Sequence, residues 1–472
     1  MTLWFDVTDI RDWEYPYLTG IQRTIVNVLS ELLISRDDIR LFAFVRSELM
    51  LQQVDVHSLP LVVQKCIQSS RGSNASEAAA HSGGIVAAGA GSNSRPKVGL
   101  RRRLKKWIGS EATQALRDFR SSAKTVARIF WRKTSFANRA PTSPVAVAPL
   151  QISPASILFR PGDVCISLSA TWGLPFYGEV IAANKIQGRA TCINLIYDLI
   201  PTLYPQWMPP GFSDIVTLWL RKQMENSDLI LTISNFQKAE ISTYMEAEKI
   251  SPRPIEVIHL GDNPNLMANV AVDKPLPLPR HIPDRKFVIC VSSLDIRKNQ
   301  NLLYQVWRRL AEELGPDCPE LLLIGAQQLY MSDFMYQIRT DPLVNKLIIH
   351  LDDVVDEELA WYYRNCEFTV YPSVYEGWGL PISESLSLGK YCVAGNKTSL
   401  PEAGGDLVDY FDPLDFVGCH KLIHRALTDP DYVKQREQQI RANYVPYTWA
   451  ETAAHISKIV DRLVDPAPRE MI

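Results

Sequence analysis

Phe368-Thr369-Val370-Tyr371-Pro372-Ser373-Val374-Tyr375-Glu376-Gly377-Trp378-Gly379-Leu380-Pro381-Ile382-Ser383-Glu384 holds a strand, a loop and a helix start within seventeen residues. Phe368 to Tyr371 is a short apolar run rich in β-branched and aromatic side chains, which predicts a buried strand. Pro372 and the two glycines predict a loop, and Pro381 suits the first turn of a short helix that stops before Gly389. Strand, loop and helix in this order form the repeating step of a parallel α/β sheet. Such sheets bind ligands beyond the carboxyl ends of their strands, which is where Glu376 falls. Glu384 should lie about one turn inside the helix, so both carboxylates can point into one crevice. Gly377 and Gly379 remove side chains where a ligand could approach backbone N–H groups.

The same step recurs on both sides of this segment. A second-lobe series begins at Lys286, with strand candidates at Phe287 to Val291, Leu321 to Ile324, Lys346 to His350, Phe368 to Tyr371, Tyr391 to Ala394 and Val408 to Phe411. The Pro-rich stretch Lys274 to Pro283 before it predicts a linker. An earlier series runs through Leu3 to Val7, Arg40 to Val45, Val164 to Leu168, Thr191 to Ile196 and Leu229 to Ile233. Its first helix follows Gly20, with Ile21, Ile25, Val28, Leu29 and Leu32 at helical spacing. At about 150 residues per domain, 472 residues suit two or three units. The fold class is therefore α/β, with two lobes: a mainly parallel first lobe over 1–270 and a second over 284–445, followed by a helix in 446–472 expected to pack back on the first lobe.

About 68–156 interrupts the first lobe. Gln68 to Ser94 is rich in Ser, Gly, Ala and Asn, which cannot bury enough apolar area to order itself. Arg95 to Arg139 then carries fourteen Lys and Arg against Glu111 and Asp118, a charge of +12 in a chain whose total is −2. Leu100, Leu104, Trp107, Ile108, Leu116, Phe119, Val126, Ile129 and Phe130 are interleaved with these cations at spacings mostly of three and four. That pattern favours an anionic membrane surface over nucleic acid. Elsewhere the eight cysteines are scattered without a C-x-x-C pair, as buried thiols in a reducing compartment are. The start of the chain lacks the pattern of a secretory signal, and no run has bilayer-spanning length. The expectation is a cytoplasmic protein, peripheral at the inner face of the membrane.

A second loop shares the chemistry of the first. The strand ending at Val291 leads through Asp295 to Arg297 and Lys298, and a helix is expected to begin near Asn299. Two cations beside helix-start N–H groups would suit a diphosphate, whereas in isolation they would be a solvated basic pair. Ser234 with Gln237 three residues on predicts a helix cap. His259 and His350 follow apolar runs and read as structural, and Asp352-Asp353 as a loop rather than a metal site.

Together the segments Arg297-Lys298-Asn299 and Glu376-Gly377-Trp378-Gly379-Leu380-Pro381 through Glu384 resemble the retaining glycosyltransferase family 4, of GT-B fold, with its E-x7-E motif. Trp378 stands where that group usually has Phe. Ser399-Leu400-Pro401-Glu402, Thr19-Gly20-Ile21-Gln22-Arg23, Tyr197-Asp198-Leu199-Ile200-Pro201 and Thr448-Trp449 extend the resemblance over nearly the whole chain outside about 68–157. The resemblance implies two Rossmann-like lobes facing across a cleft. It implies that Glu376 contacts the donor sugar and supports the reacting centre, with Arg297 and Lys298 on the diphosphate. Glu384 would take the ribose, Gly20 would admit the donor phosphate to the first lobe, and Gly377, Trp378, Gly379 and Leu380 would line the donor site. Asp198 follows Tyr197, where many relatives have His, which leaves the first-lobe contact to the sugar open.

The family's mechanism implies reaction on one face of the sugar, the departing diphosphate helping to take the acceptor proton. The protein then has mainly to position the reactants and stabilise charge on the leaving group. No metal or other cofactor is expected. The resemblance to enzymes of bacterial surface-polysaccharide assembly gives GDP-mannose as the first donor, ahead of UDP- and dTDP-sugars, and a glycan or lipid-linked glycan as acceptor. The competing readings are a GT-B-shaped epimerase or phosphorylase, and a non-catalytic membrane-surface protein built around the basic segment.

Overall fold

The computed structural model describes residues 1–15, 18, 20–68, 157–262, 276, 278–328 and 330–464. The low-complexity and basic segments lie outside these residues, as do Thr19 and the first part of the Pro-rich linker. Both sheets belong to one compact unit.

In the first lobe the order is β1 (Leu3–Asp6), α1 (Thr8–Arg11), α2 (Gly20–Ser35), β2 (Ile39–Val45), β3 (Met50–Val54), β4 (Val164–Ser167), α3 (Tyr177–Gly188) and β5 (Thr191–Leu195). It continues through α4 (Ile200–Leu203), α5 (Phe212–Asn226), β6 (Leu229–Thr232), α6 (Asn235–Ala247) and β7 (Ile255–Val257). The second lobe holds β8 (Phe287–Val291), α7 (Gln300–Leu314), β9 (Glu320–Ile324), α8 (Ser332–Thr340), β10 (Ile348–Leu351), α9 (Asp356–Asn365) and β11 (Thr369–Tyr371). After these come α10 (Leu380–Ser387), β12 (Cys392–Gly395), α11 (Leu400–Gly404), β13 (Asp409–Phe411), α12 (Phe416–Thr428) and α13 (Pro430–Asn443), and α14 (Trp449–Val464) follows.

The first sheet runs β3-β2-β1-β4-β5-β6-β7 and the second β10-β9-β8-β11-β12-β13. Both follow the doubly wound Rossmann order, in which the chain reverses direction across the sheet between β1 and β4 and between β8 and β11. This gives the two Rossmann-like lobes of a GT-B protein. The strands are buried on both faces because helices cover them, so Leu-Ile-Leu-Thr and Phe-Val-Ile-Cys-Val read as continuous apolar runs. One strand departs from the parallel pattern: β3 pairs antiparallel with β2 at the sheet edge, Leu41 opposite Val54 and Val45 opposite Met50.

Crossing back to the first lobe, α14 lays Trp449, Ala453, Ile456, Ile459 and Val460 into the cluster that holds Ile25, Leu29 and Leu32 of α2. The stripe recurs at intervals of four and three, as one buried helix face requires. Of the cysteines, Cys66 is half-buried and the other seven are buried, all as free thiols. Burial raises the Cys290, Cys366 and Cys392 thiols, each to about 12. Among the described residues no helix is long and apolar enough to cross a membrane.

Candidate functional site

Arg297 and Lys298 follow β8, and Glu376 follows β11, its neighbour in the sheet. The reversal of the sheet separates the connections leaving these two strands and opens a crevice where the three side chains converge. Arg297 donates from Nη1 to Glu376 Oε2 at 2.7 Å. Lys298 donates from Nζ to Glu376 Oε1 at 2.5 Å and to the Tyr371 hydroxyl at 2.8 Å, and that hydroxyl donates to the same Glu376 oxygen at 2.8 Å.

Lys298 and Glu376 are 8% and 7% exposed, so the cation pair is not a solvated one. Burial works against the Glu376 carboxylate, but Arg297 and Lys298 outweigh it and hold the group down at about 2. Burial, together with the adjacent guanidinium, pulls the Lys298 ammonium below its ordinary value. Glu376 bridges the two cations and keeps them ordered.

The helix begins within a residue of the expected place, but the cations sit in a turn before it. Ile296–Lys298 form a single 3-10 turn capped by Asp295, whose carboxylate accepts from the Arg297 N–H at 3.1 Å. Asn299 then takes a left-handed conformation, φ +60°, and α7 begins only at Gln300. Asn tolerates that conformation better than most residues. Its amide also donates to the Pro372 carbonyl at 3.2 Å and the Pro413 carbonyl at 2.9 Å, clamping the loops that follow β11 and β13. The cations thus face Glu376 from a turn that precedes the helix.

Glu384 sits in α10 but in a different environment. Tyr363 of α9 donates to it at 3.0 Å. It is half-buried, and burial dominates: the carboxyl is pushed up to about 7, with the Tyr363 hydrogen bond and Arg23 opposing the rise. Arg23, from the first lobe, is anchored by donating to Asp356 of α9 at 3.0 Å.

The glycines of this loop serve packing in the structure. A side chain at Gly377 would lie 3.0 Å from the Tyr197 carbonyl and 3.4 Å from Asp198. The missing Cβ there allows the lobes to meet. Gly379 has φ +153°, where side chains are disfavoured, and faces Leu400 and Ala403. Trp378 packs on apolar clusters of both lobes and against His259, centroids 5.6 Å apart, and Leu380 packs on the first-lobe cluster.

Asp198 lies within the field of Arg297, Glu376 and Lys298; burial raises its carboxyl and Arg297 opposes that. Gly20, exposed at the start of α2, meets no described atom within 4 Å where its Cβ would stand. Among the described residues nothing therefore demands glycine at that position. Sequence reasoning missed the polar seam joining the lobes. Ser234 caps α6 through the Gln237 N–H at 3.1 Å and also donates to the Gly377 carbonyl at 3.2 Å. Tyr375 donates to Glu240 and accepts from Gln237, and the Glu402 carboxylate accepts from the Asn235 and Phe236 backbone N–H groups at 2.7 and 2.6 Å. Glu402 belongs to the quoted Ser399 to Glu402 segment, but its partner lies far off in sequence. His350 bonds the Gly325 carbonyl at 2.8 Å and the Asp352 carbonyl accepts from Arg280, both structural uses. Among the described residues no three His, Cys, Asp or Glu side chains group as metal ligands.

The second lobe matches a glycosyltransferase family. Residues 279–444, from before β8 to just past α13, match the family described as glycosyl transferases group 1. A serotype-specific mannosyltransferase, WbdA, of Escherichia coli is 25% identical over 281 residues, 59% of this chain and 34% of that protein. An O-antigen chain mannosyltransferase B of Escherichia coli is 25% identical over 54% of this chain and 66% of its own length. The chain therefore spans about a third of the length of the first of these relatives. Among solved structures, a UDP-forming α,α-trehalose-phosphate synthase from Burkholderia xenovorans aligns with TM-score 0.48 and 16% identity, over 63% of this chain and 74% of that one. The family match and the mannosyltransferase relatives support a glycosyltransferase.

Proposed function

We propose that the protein is a retaining glycosyltransferase that moves a sugar from a nucleotide donor, GDP-mannose first, to a glycan or lipid-linked glycan in polysaccharide assembly. The observation that carries this reading is the buried centre of Arg297, Lys298 and Glu376 at the reversal point of the second sheet, faced by Asp198 of the first lobe. The names of the Escherichia coli relatives support mannose.

In this reading the donor diphosphate meets Arg297 and Lys298, and charge developing on the departing phosphate is stabilised by cations that are already in position. Glu376 holds them in place without the donor, and within the complex lies where it can contact the sugar. Glu384 binds the ribose, Gly20 admits the phosphate, and Trp378 and Leu380 close the apolar wall between the lobes. The reaction uses no metal, because the two cations supply the charge that a metal would. The enzyme works in the cytoplasm at the inner membrane face, with residues 95–139 on anionic lipid. The epimerase or phosphorylase alternative would need turnover of the donor without a sugar acceptor.

A thermal-shift series with GDP-mannose, UDP-sugars and dTDP-sugars tests the donor, since a ligand at a hundredfold its Kd adds about 2.7 kcal/mol. Arg297→Ala and Lys298→Ala should weaken nucleoside diphosphate binding far more than nucleoside binding. Equal losses would mean a structural pair, and activity abolished by EDTA would overturn the metal-free mechanism. Inversion of the anomeric centre in the product would overturn retention.

A further inference from the structure

The mechanism above gives no role to Asp9 of the first lobe. Asp9 lies in α1, immediately beyond β1, and β1 and β4 flank the reversal point of the first sheet. Its Oδ2 accepts from Gln22 Nε2 of α2 at 2.6 Å, and it also takes the backbone N–H of Ala170, beyond β4. The side chain thus spans the crevice that opens between the two departing connections, the place where an open sheet of this kind binds its ligand.

Its position is built with care for so short a helix. Asp6 is fully buried and accepts from Thr8 N at 2.9 Å, Ser167 Oγ at 2.6 Å and Tyr177 OH at 2.6 Å, and Thr8 Oγ1 accepts from the Phe44 N–H at 3.0 Å. These bonds tie α1 to β2, β4 and α3, and so fix Asp9. Tyr197 lies within its field, and the Tyr197 carbonyl is what Gly377 meets from the second lobe. Asp9 thus acts on Tyr197, and its neighbour Asp198 lies in the field of Arg297 and Glu376. Asp9 itself is half-buried, with part of its surface still open to solvent. The titratable groups that act on it or feel its charge are Asp6 and Tyr197, both acidic. Burial first, against the Gln22 and Ala170 hydrogen bonds, pushes its carboxyl up to about 6.

We propose that Asp9 binds the acceptor, accepting a hydrogen bond from a hydroxyl of an uncharged sugar held in the first-lobe crevice. This rests on the glycosyltransferase reading of the same cleft. A carboxylate at that position repels a phosphorylated acceptor but suits a polyol, whose hydroxyls donate to it. No covalent step is assigned to Asp9.

The test uses the full chain, GDP-mannose or whichever nucleotide sugar stabilises it, and the octyl glycosides of mannose, glucose, galactose and N-acetylglucosamine. Asp9→Asn should lower kcat/KM for the preferred glycoside by about ten- to a hundredfold, the usual worth of a hydrogen bond to a charged group. Donor affinity, and the slow acceptor-free release of nucleoside diphosphate, should stay within about twofold of wild type, which also shows that the variant is folded. Mannose 6-phosphate should be a poor acceptor for the wild type. Unchanged transfer by Asp9→Asn, equal loss of transfer and of acceptor-free release, or preference for the phosphorylated sugar would each overturn the proposal. Use of none of the four glycosides would overturn it too. A wild type that binds no nucleotide sugar would instead overturn the glycosyltransferase reading, and this proposal with it.

Discussion

Eight residues apart in the chain, Glu376 and Glu384 titrate in opposite directions from the ordinary 4.5, to about 2 and about 7. Two cations offset the burial of Glu376, so its contribution to stability is present above the ordinary value and lost as pH falls toward 2, roughly 3 kcal/mol by linkage. Glu384 has the Tyr363 hydrogen bond and Arg23 against its own burial, Asp356 and Asp262, and burial wins. Its neutral form is favoured by folding, which stabilises the protein below the ordinary value and is lost as pH rises through 7. If the ribose diol binds the carboxylate, affinity for a nucleotide sugar should rise between pH 6 and 8, where the donor's own charge is constant. Calorimetry across that range should show the rise in wild type and a flat profile in Glu384→Gln, and a flat wild-type profile would remove Glu384 from the site. Both glutamates were legible from their motif, but their phenol partners were not. Tyr371 in a strand and Tyr363 in a helix read as core, and only the fold aims their hydroxyls at carboxylates.

The elements were legible to within a residue or two wherever a strand is buried on both faces. Phe287–Val291 coincides with its apolar run, because covering helices demand unbroken apolarity there. Met50–Val54 escaped notice because an edge strand needs only one buried side chain: Leu51 is buried, while Gln52 and Gln53 are exposed. At the start of α2 the open space around Gly20 makes a test. Gly20→Ala meets no described atom and should leave stability unchanged or raise it by about 0.4–1 kcal/mol, as loss of glycine freedom in the unfolded chain does. Donor affinity should nevertheless fall by about tenfold or more if phosphate approaches that backbone. Urea unfolding and donor titration on the same variant decide it, and unchanged affinity would mean that the glycine serves no ligand.

Across the whole molecule the lobes are joined by more than the covalent linker. Glu402 seats on the start of α6, Tyr375 reaches Glu240, and α14 returns the chain end to the first lobe. Gly261 permits that return: a Cβ there would stand 2.6 Å from the Trp449 ring and backbone. Gly261→Ala should therefore displace α14 and cost about 1–3 kcal/mol of stability, as overpacking does, visible as a lower urea midpoint. An unchanged midpoint would show that α14 docks without that close approach. By itself the sequence determined the α/β class, the two lobes, and the loops where Arg297, Lys298, Glu376 and Glu384 occur, because apolar periodicity and turn chemistry are local properties written in consecutive residues. Only the tertiary structure decided that Lys298 is buried on Glu376, that Gly377 faces Tyr197, and that Asp9 spans the first crevice. Those outcomes depend on which distant segments are brought within about 3 Å, a distance that no local pattern encodes.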